Sequence, residues 1–264
     1  MFKKPYLIVF EGVEGCGKSY QSKKLFNKLR KHNIKTLLTR EPGGTKSAEL
    51  IRNLILKDYF SSSKKEKFDK YTDTLLYLAA RNEHIKNKIK PALKKKKVVI
   101  CDRFIDSTIA YQVYGKKVKL KFIEDIHKVI LDGVKPNLTF ILKVSPRSSK
   151  KRLLKRKLKN RYDNFPQSFY DKAQKSFLKI GKNKKNYIIL DSSKNDQFLE
   201  KKKKNIGNHW KKYEILGISG ATSVLRCTPN DFQHFEPFPG VRARMCKNGH
   251  AHMLIVVHSC FLSI

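Results

Sequence analysis

The sequence predicts an α/β fold, a three-layer domain in which helices flank a five-stranded parallel sheet on both faces. Two observations carry this. Short β-branched runs alternate with amphipathic stretches of ten or more residues, the length a crossover between parallel strands needs. A glycine-rich segment, "EGVEGCGKS", joins the first apolar run to the first amphipathic stretch.

Taken in order, Tyr6–Phe10 reads as a buried strand and Lys18–His32 as a helix, with Leu25, Phe26 and Leu29 on one side. Thr36–Thr39 is a second strand, and Ala48–Leu56 is helical, with Leu50, Ile51, Leu54 and Ile55 at helical spacing. Residues 58–67 read as a polar loop. Lys70–Lys90 reads as one long helix stopped near Pro91, where the N–H is lost. Val98–Asp102 and Leu138–Val144 are strands; Lys121–Asp132 is a helix ending at Gly133. Residues 146–181 read as two basic helices around a break at "NRYDNFP". Tyr187–Leu190 is the last strand and Lys194–Tyr213 the last helix.

The chain has 264 residues, enough for one large domain plus an extension. From Glu214 onward Lys247 is the only lysine, and no helical periodicity remains. Residues 1–213 are therefore read as the domain and 214–264 as a poorly ordered tail foreign to it. The tail holds Cys227, His234, Cys246, His250, His252, His258 and Cys260, but without the paired spacing of a zinc module. Five cysteines with no even spacing argue against a disulfide framework and for reduced thiols in a cytoplasmic protein. No run reaches the roughly 18 apolar residues of a membrane span. The net charge of +37 draws anions of every kind, but the excess is mostly lysine spread along the chain, as a compositional bias would leave it. No nucleic-acid partner is expected on that ground. A nucleic-acid-stimulated ATPase stays as the alternative from a different class.

Gly12, Val13, Glu14, Gly15, Cys16, Gly17, Lys18 and Ser19 match G-x-x-x-x-G-K-[ST], the P-loop, with a strand before and a helix after. Such a loop turns successive N–H groups toward a phosphate, and the positive end of the helix adds to them. Lys18 would contact the β- and γ-phosphates of ATP, and Ser19 would ligate Mg²⁺. "VVICDR" puts Asp102 at the carboxyl edge of a strand, where a Mg²⁺ contact is made, and Arg103 beside it as a second anion site. Arg40 follows the second strand in "TREPGG". Tyr77 and Arg81, four apart, share a helix face and suit a stacked base. Ser107, Thr108, Tyr111 and Gln112 could read a pyrimidine edge and a sugar. Two anion sites on one crevice imply phosphoryl transfer between nucleotides, by positioning and charge neutralisation. The guanine signature N-K-x-D is absent, which weighs against a GTPase switch.

"FEGVEGCGKS", "TREPGGT", "YLAAR", "VVICDRFIDSTIAYQ" and "KPNLTFILKV" together resemble the bacterial thymidylate kinase family over about residues 5–213. The resemblance implies dTMP phosphorylation to dTDP with ATP and Mg²⁺, a homodimer and a helical lid at about 146–165. Another nucleoside monophosphate kinase is the nearest rival. It further implies that Glu14 meets the sugar 3′-hydroxyl, Tyr77 stacks on thymine, and Arg81 and Gln112 hold the base edge with Thr108 nearby. Arg103 and Arg40 would hold the dTMP phosphate, and Tyr111 would exclude a 2′-hydroxyl. The loop has no arginine, so lid arginines would supply transition-state charge: Arg156 as the catalytic one, Arg152 and Arg161 as nucleotide contacts. Two departures stand out: Lys143 where the family carries an aspartate, and Asp163 where it carries a glutamate.

Overall fold

The computed structural model describes residues 5–57, 67–155, 165–193, 225–226 and 252–253. Strand β1 (Tyr6–Glu11) leads through the glycine loop into α1 (Lys18–Lys31). Then come β2 (Thr36–Arg40), α2 (Lys46–Leu56) and α3 (Lys70–His84). A π-helical turn (Ile85–Ile89) joins α3 to α4 (Lys90–Lys94), and β3 (Val98–Asp102) follows. Next are α5 (Ile105–Thr108), a second π-helical segment (Ile109–Gly115), α6 (Leu120–Ile130) and β4 (Leu138–Lys143). Helices α7 (Pro146–Leu154) and α8 (Gln167–Gly181) precede β5 (Tyr187–Asp191).

The five strands lie in the order β2-β3-β1-β4-β5, every pair parallel. Alternation along β1 separates the two faces. Leu7 and Val9 pack with Ile85, Ile89, Val99 and Phe104. Ile8 and Phe10 pack with Leu29, Ile100, Phe140 and Phe177. Phe10 and Phe140 stack at 5.0 Å between centroids. Each large apolar side chain so buried contributes roughly 1.5–3 kcal/mol. In register, Phe10 and Arg40 both stand opposite Asp102. The carboxyl ends of β1, β2 and β3 therefore share one edge, at the point where the chain order reverses and α/β sheets bind ligands.

The long helix does not stop near Pro91. It widens into a π turn over Ile85–Ile89, and Pro91 then sits in the first turn of α4. A first-turn residue needs no N–H partner, so the proline is accommodated without breaking the run. A second difference is a pair of helical segments over Ile105–Gly115, a stretch without a periodic apolar signal. The expected helix at 194–213 and residues 160–164 of the expected break at 160–166 lie outside the described residues; Phe165 and Pro166, which close that break, precede α8 without being helical.

The chain divides into two compact units, Met1–Gly217 and Ile218–Ile264. Within the second, β6 (Leu225–Arg226) pairs antiparallel with β7 (His252–Met253). Among the described residues no helix is long and apolar enough to cross a membrane.

Candidate active site

The glycine loop is held by close packing. A Cβ on Gly12, at φ 138°, would meet the Leu142 carbonyl oxygen at 2.6 Å; one on Gly15, at φ 70°, would meet Ser149 at 2.8 Å. Neither position accepts a side chain. Gly17 precedes α1 without a side-chain cap, and no acidic residue occupies the helix's first turn. The positive end of α1 is thus left to an anion. Lys18 is only 6% exposed. Its ammonium donates to the Val13 carbonyl at 2.8 Å, so it lies back along the loop. Val13 and Cys16 bury their side chains in the core. Ser19, on the next residue of α1, donates to Asp102 Oδ2 at 2.5 Å.

Arg103 follows β3 with φ 72°. Its guanidinium donates to the Gly12 carbonyl at 3.0 Å, Ser107 Oγ at 3.1 Å and Glu14 Oε1 at 2.8 Å. The Tyr111 hydroxyl donates to the other Glu14 oxygen at 2.6 Å, and its ring lies 5.3 Å beneath the guanidinium. Burial would raise the Glu14 carboxyl, but Arg103 and then Lys18 more than reverse this and hold it below the ordinary range. The loop glutamate is therefore an anion, paired with Arg103 and in the field of Lys18.

The far wall is built by Arg81, which is 3% exposed. It donates to Glu41 Oε2 at 2.7 Å, and to Thr108 Oγ1, His127 Nε2 and the Phe104 carbonyl at 2.8 Å each. Burial and the Arg81 charge push His127 down to about 3, so it accepts as neutral imidazole. Among the described residues these four bonds leave one of the five guanidinium N–H donors uncommitted. Nearby Gln112 is 1% exposed, and its Nε2 has no hydrogen-bond partner among the described residues. A buried amide donor left without a partner costs about 1–3 kcal/mol unless a ligand completes it.

Both halves open onto one cavity of about 430 Å³, lined by Lys18, Ser19, Asp102 and Arg103 as well as by Arg81 and Gln112. Tyr77, Arg40, Thr108, Tyr111 and Arg152 also reach it. Arg40 is exposed and pairs with both Glu49 oxygens at 3.1 Å. Arg152, on α7, bridges the Gly15 carbonyl at 3.1 Å and the Ser192 carbonyl at 2.7 Å. Ser149 Oγ donates to the Glu14 carbonyl at 2.8 Å, so α7 rests on the glycine loop. Arg156, Arg161 and Asp163 lie outside the described residues, as do the tail's cysteines and, His252 apart, its histidines. Lys143 is exposed and does not line the cavity.

Sequence reasoning missed four contributors. Arg52 lines the cavity and donates to the Pro42 carbonyl at 2.6 Å; its place in the repeating pattern of α2 disguised it. Glu41 and His127 hold Arg81 from distant elements, and no local pattern links them. Glu11 looked like the end of an apolar run yet is fully buried. Among the described residues, Glu41, His84 and Cys101 bring three possible metal donors together. Their atoms are already engaged: His84 sits between Glu41 at 3.0 Å and Thr39 at 2.6 Å, Glu41 holds Arg81, and the Cys101 thiol meets the Arg103 carbonyl at 3.1 Å. Burial pushes that thiol well up, so it stays protonated. The group is a closed polar core beneath the site.

A strand–loop–helix phosphate cradle and an arginine-lined pocket, facing each other across one cavity at a parallel sheet's edge, define a P-loop nucleotide phosphotransferase. The sequence profile of the thymidylate kinase family matches residues 10–202. The chain is 44% identical over 178 residues to a thymidylate kinase of Wolbachia sp. subsp. Brugia malayi, covering 67% of this chain and 81% of that one. It is 39% identical over 188 residues to a thymidylate kinase of Geobacillus sp. (strain WCH70), covering 70% and 87%. A crystal structure of thymidylate kinase from Ehrlichia chaffeensis superimposes with a TM-score of 0.60 at 32% identity, over 77% of this chain and 98% of that one. This chain belongs to the thymidylate kinase family, and it phosphorylates dTMP to dTDP.

Proposed function

We propose that the phosphoryl donor is ATP with Mg²⁺, that the glycine loop holds it, and that the arginine pocket holds dTMP with its phosphate toward Arg103. The observation that carries this reading is that Lys18 and Arg103 line one cavity. A terminal phosphoryl group held by Lys18 and an acceptor oxygen held by Arg103 then face each other without an intervening wall. The acceptor is an ionised phosphate, so no general base is required.

Ser19 Oγ and Asp102 Oδ2 are hard oxygen donors at the mouth of the loop, the kind Mg²⁺ takes through one or two protein contacts. When bound, Mg²⁺ neutralises charge on the donor's terminal phosphates. The chain's own residues do the rest. Lys18 moves its ammonium from the Val13 carbonyl onto the phosphates. Glu14 keeps Arg103 and Tyr111 in fixed relation and offers its carboxylate to the sugar hydroxyl. Tyr77 supplies a face for the base. The Gln112 amide and the remaining Arg81 N–H supply two donors, which match the carbonyl acceptors of a thymine edge and would oppose an amino group there. Arg40 and Arg52 add positive charge behind the acceptor phosphate. Arg156 is assigned the transition-state charge by its position after α7, with Arg152 and Arg161 as nucleotide contacts; a catalytic arginine contributes on the order of 10³-fold. The working unit is taken to be a homodimer in the cytoplasm.

ADP release coupled to dTMP, compared with dCMP, dGMP and the ribose form of TMP, tests the reading. ATP and dTMP should give the highest kcat/KM, and Lys18→Met should lower kcat about 10³-fold or more with the circular dichroism unchanged. A chain that turned over dCMP faster than dTMP, or ATP without any monophosphate, would overturn it.

A further inference from the structure

Glu11 is fully buried and does not line the cavity. Burying a carboxyl costs several kcal/mol unless its oxygens find donors. Glu11 finds three. Oε1 accepts from the backbone N–H of Phe104 at 2.8 Å and of Ser107 at 3.2 Å, and Oε2 bonds Ser107 Oγ at 2.6 Å. The first two bonds have a plain structural reading. Phe104 precedes α5 without a side-chain cap of its own, and the Ser107 N–H is one of the donors a cap would serve. Glu11 caps α5 from another element.

The third bond goes further. Ser107 Oγ is the same atom that accepts from Arg103 Nη1 at 3.1 Å. Arg103 is also bracketed along the backbone. Its own N–H bonds the Phe10 carbonyl at 2.9 Å, and the next N–H, of Phe104, is the one Glu11 holds. Between these anchors Arg103 adopts φ 72°, a left-handed conformation that a non-glycine residue leaves unless its surroundings prevent it. Glu11 thus fixes both the backbone that launches the Arg103 side chain and the hydroxyl that orients its guanidinium.

We propose that Glu11 is a positioning residue for the acceptor site: through the Phe104–Ser107 turn and the Ser107 hydroxyl it holds Arg103 in the geometry that receives the dTMP phosphate. The proposal rests on the assignment of Arg103 to that phosphate. It implies a selective defect. Loosening Glu11 should weaken the dTMP side and leave the ATP side, built on the glycine loop and Lys18, as it was.

The experiment compares Arg103→Ala, Glu11→Ala, Glu11→Gln and Ser107→Ala in the full chain, with KM for each nucleotide, kcat and thermal unfolding measured together. Arg103→Ala should raise KM for dTMP; if it does not, the Arg103 assignment fails and the proposal falls with it. Given that result, Glu11→Ala should raise KM for dTMP about tenfold or more and lower kcat, with KM for ATP within about twofold. Glu11→Gln should stay within about threefold of the parent, because its amide can accept both N–H bonds and donate to Ser107 Oγ. An unchanged KM for dTMP in folded Glu11→Ala overturns the proposal while the Arg103 assignment stands. Equal rises for dTMP and ATP overturn it, since a merely structural cap would behave so; a loss in Glu11→Gln equal to that in Glu11→Ala overturns it too, since the bonds to the Phe104 and Ser107 N–H groups and to Ser107 Oγ would then not be what positions Arg103. Should Glu11→Ala fail to fold, Ser107→Ala decides: a several-fold rise in KM for dTMP supports the proposal, and no change defeats it.

Discussion

Ser19 Oγ lies 2.5 Å from Asp102 Oδ2, which ties the first turn of α1 to the last residue of β3. The two residues are 83 positions apart, and parallel pairing of β1 with β3 brings them together. With the hydroxyl donating, the carboxylate is already oriented toward the loop. Asp102→Asn removes the charge and keeps the shape. The expected outcome is a drop in kcat of about 10- to 100-fold and a Mg²⁺ half-saturation moved to higher concentration, with KM for dTMP little changed. A Mg²⁺ titration at saturating nucleotides reads both effects; an unmoved midpoint would remove Asp102 from the metal site.

Tyr111 makes two separable contributions. Its hydroxyl donates to Glu14, while its ring packs 5.7 Å from Phe169 and 6.0 Å from Phe177. Tyr111→Phe keeps the ring and strands one Glu14 oxygen, so KM for dTMP should rise about tenfold with the preference for deoxyribose intact. Tyr111→Ala opens the floor of the pocket. There the ratio of kcat/KM for dTMP over its ribose counterpart should fall at least about tenfold. A steric role for the ring is refuted by an alanine variant that discriminates as well as the parent.

The parts legible in the sequence were those whose signal is local. The glycine spacing of residues 12–19 specifies the cradle because backbone geometry permits no alternative at Gly12 and Gly15. The strands were readable because they are short apolar runs, and their parallel order followed from the helices between them. What escaped were long-range polar contacts. Arg81 meets Glu41, Thr108 and His127 across separations of 40, 27 and 46 residues, and nothing in any single segment announces that. The π segment at Ile109–Gly115 was equally silent, since its widened turn matches neither the helix nor the strand period. Yet it is that segment which turns the adjacent Tyr111 and Gln112 both toward the cavity. Pro91 misled for a definable reason: a proline stops a helix only where its N–H is needed.

Glu11 also gives the fold a pH dependence. Burial, and then the neighbouring Asp106, push its carboxyl from the ordinary range up to about 7. The folded state thus binds a proton between about pH 4.5 and 7 that the unfolded chain has released. Stability from this group is full below the unfolded value and is lost as pH rises through the folded one. The loss is on the order of 3 kcal/mol. Glu11→Gln imitates the protonated form at every pH. Its stability relative to the parent should therefore be greater at pH 8 than at pH 5, with most of the gain made by about pH 7 and a plateau above it. Urea unfolding of the two proteins at both pH values measures this, and groups common to both cancel in the difference. A constant difference would mean that Glu11 stays charged in the fold.

Arg81 and Glu41 form an ion pair whose side chains are 3% and 4% exposed. Burial would raise the Glu41 carboxyl, but Arg81 and then His84 reverse this and hold it below its ordinary value. Such a pair is strongly destabilising to break from one side and much less so to replace entirely. Arg81→Met leaves Glu41, among the described residues, with His84 as its remaining side-chain partner and should cost about 3–5 kcal/mol in urea unfolding. Adding Glu41→Met removes the orphaned charge and should return at least about half of that loss. Activity should respond differently. In both variants the Arg81 N–H proposed for the base edge is gone, so kcat/KM for dTMP should stay at least about tenfold below the parent even where stability has recovered. Recovery of activity in step with stability would show that Arg81 serves the fold and not the base.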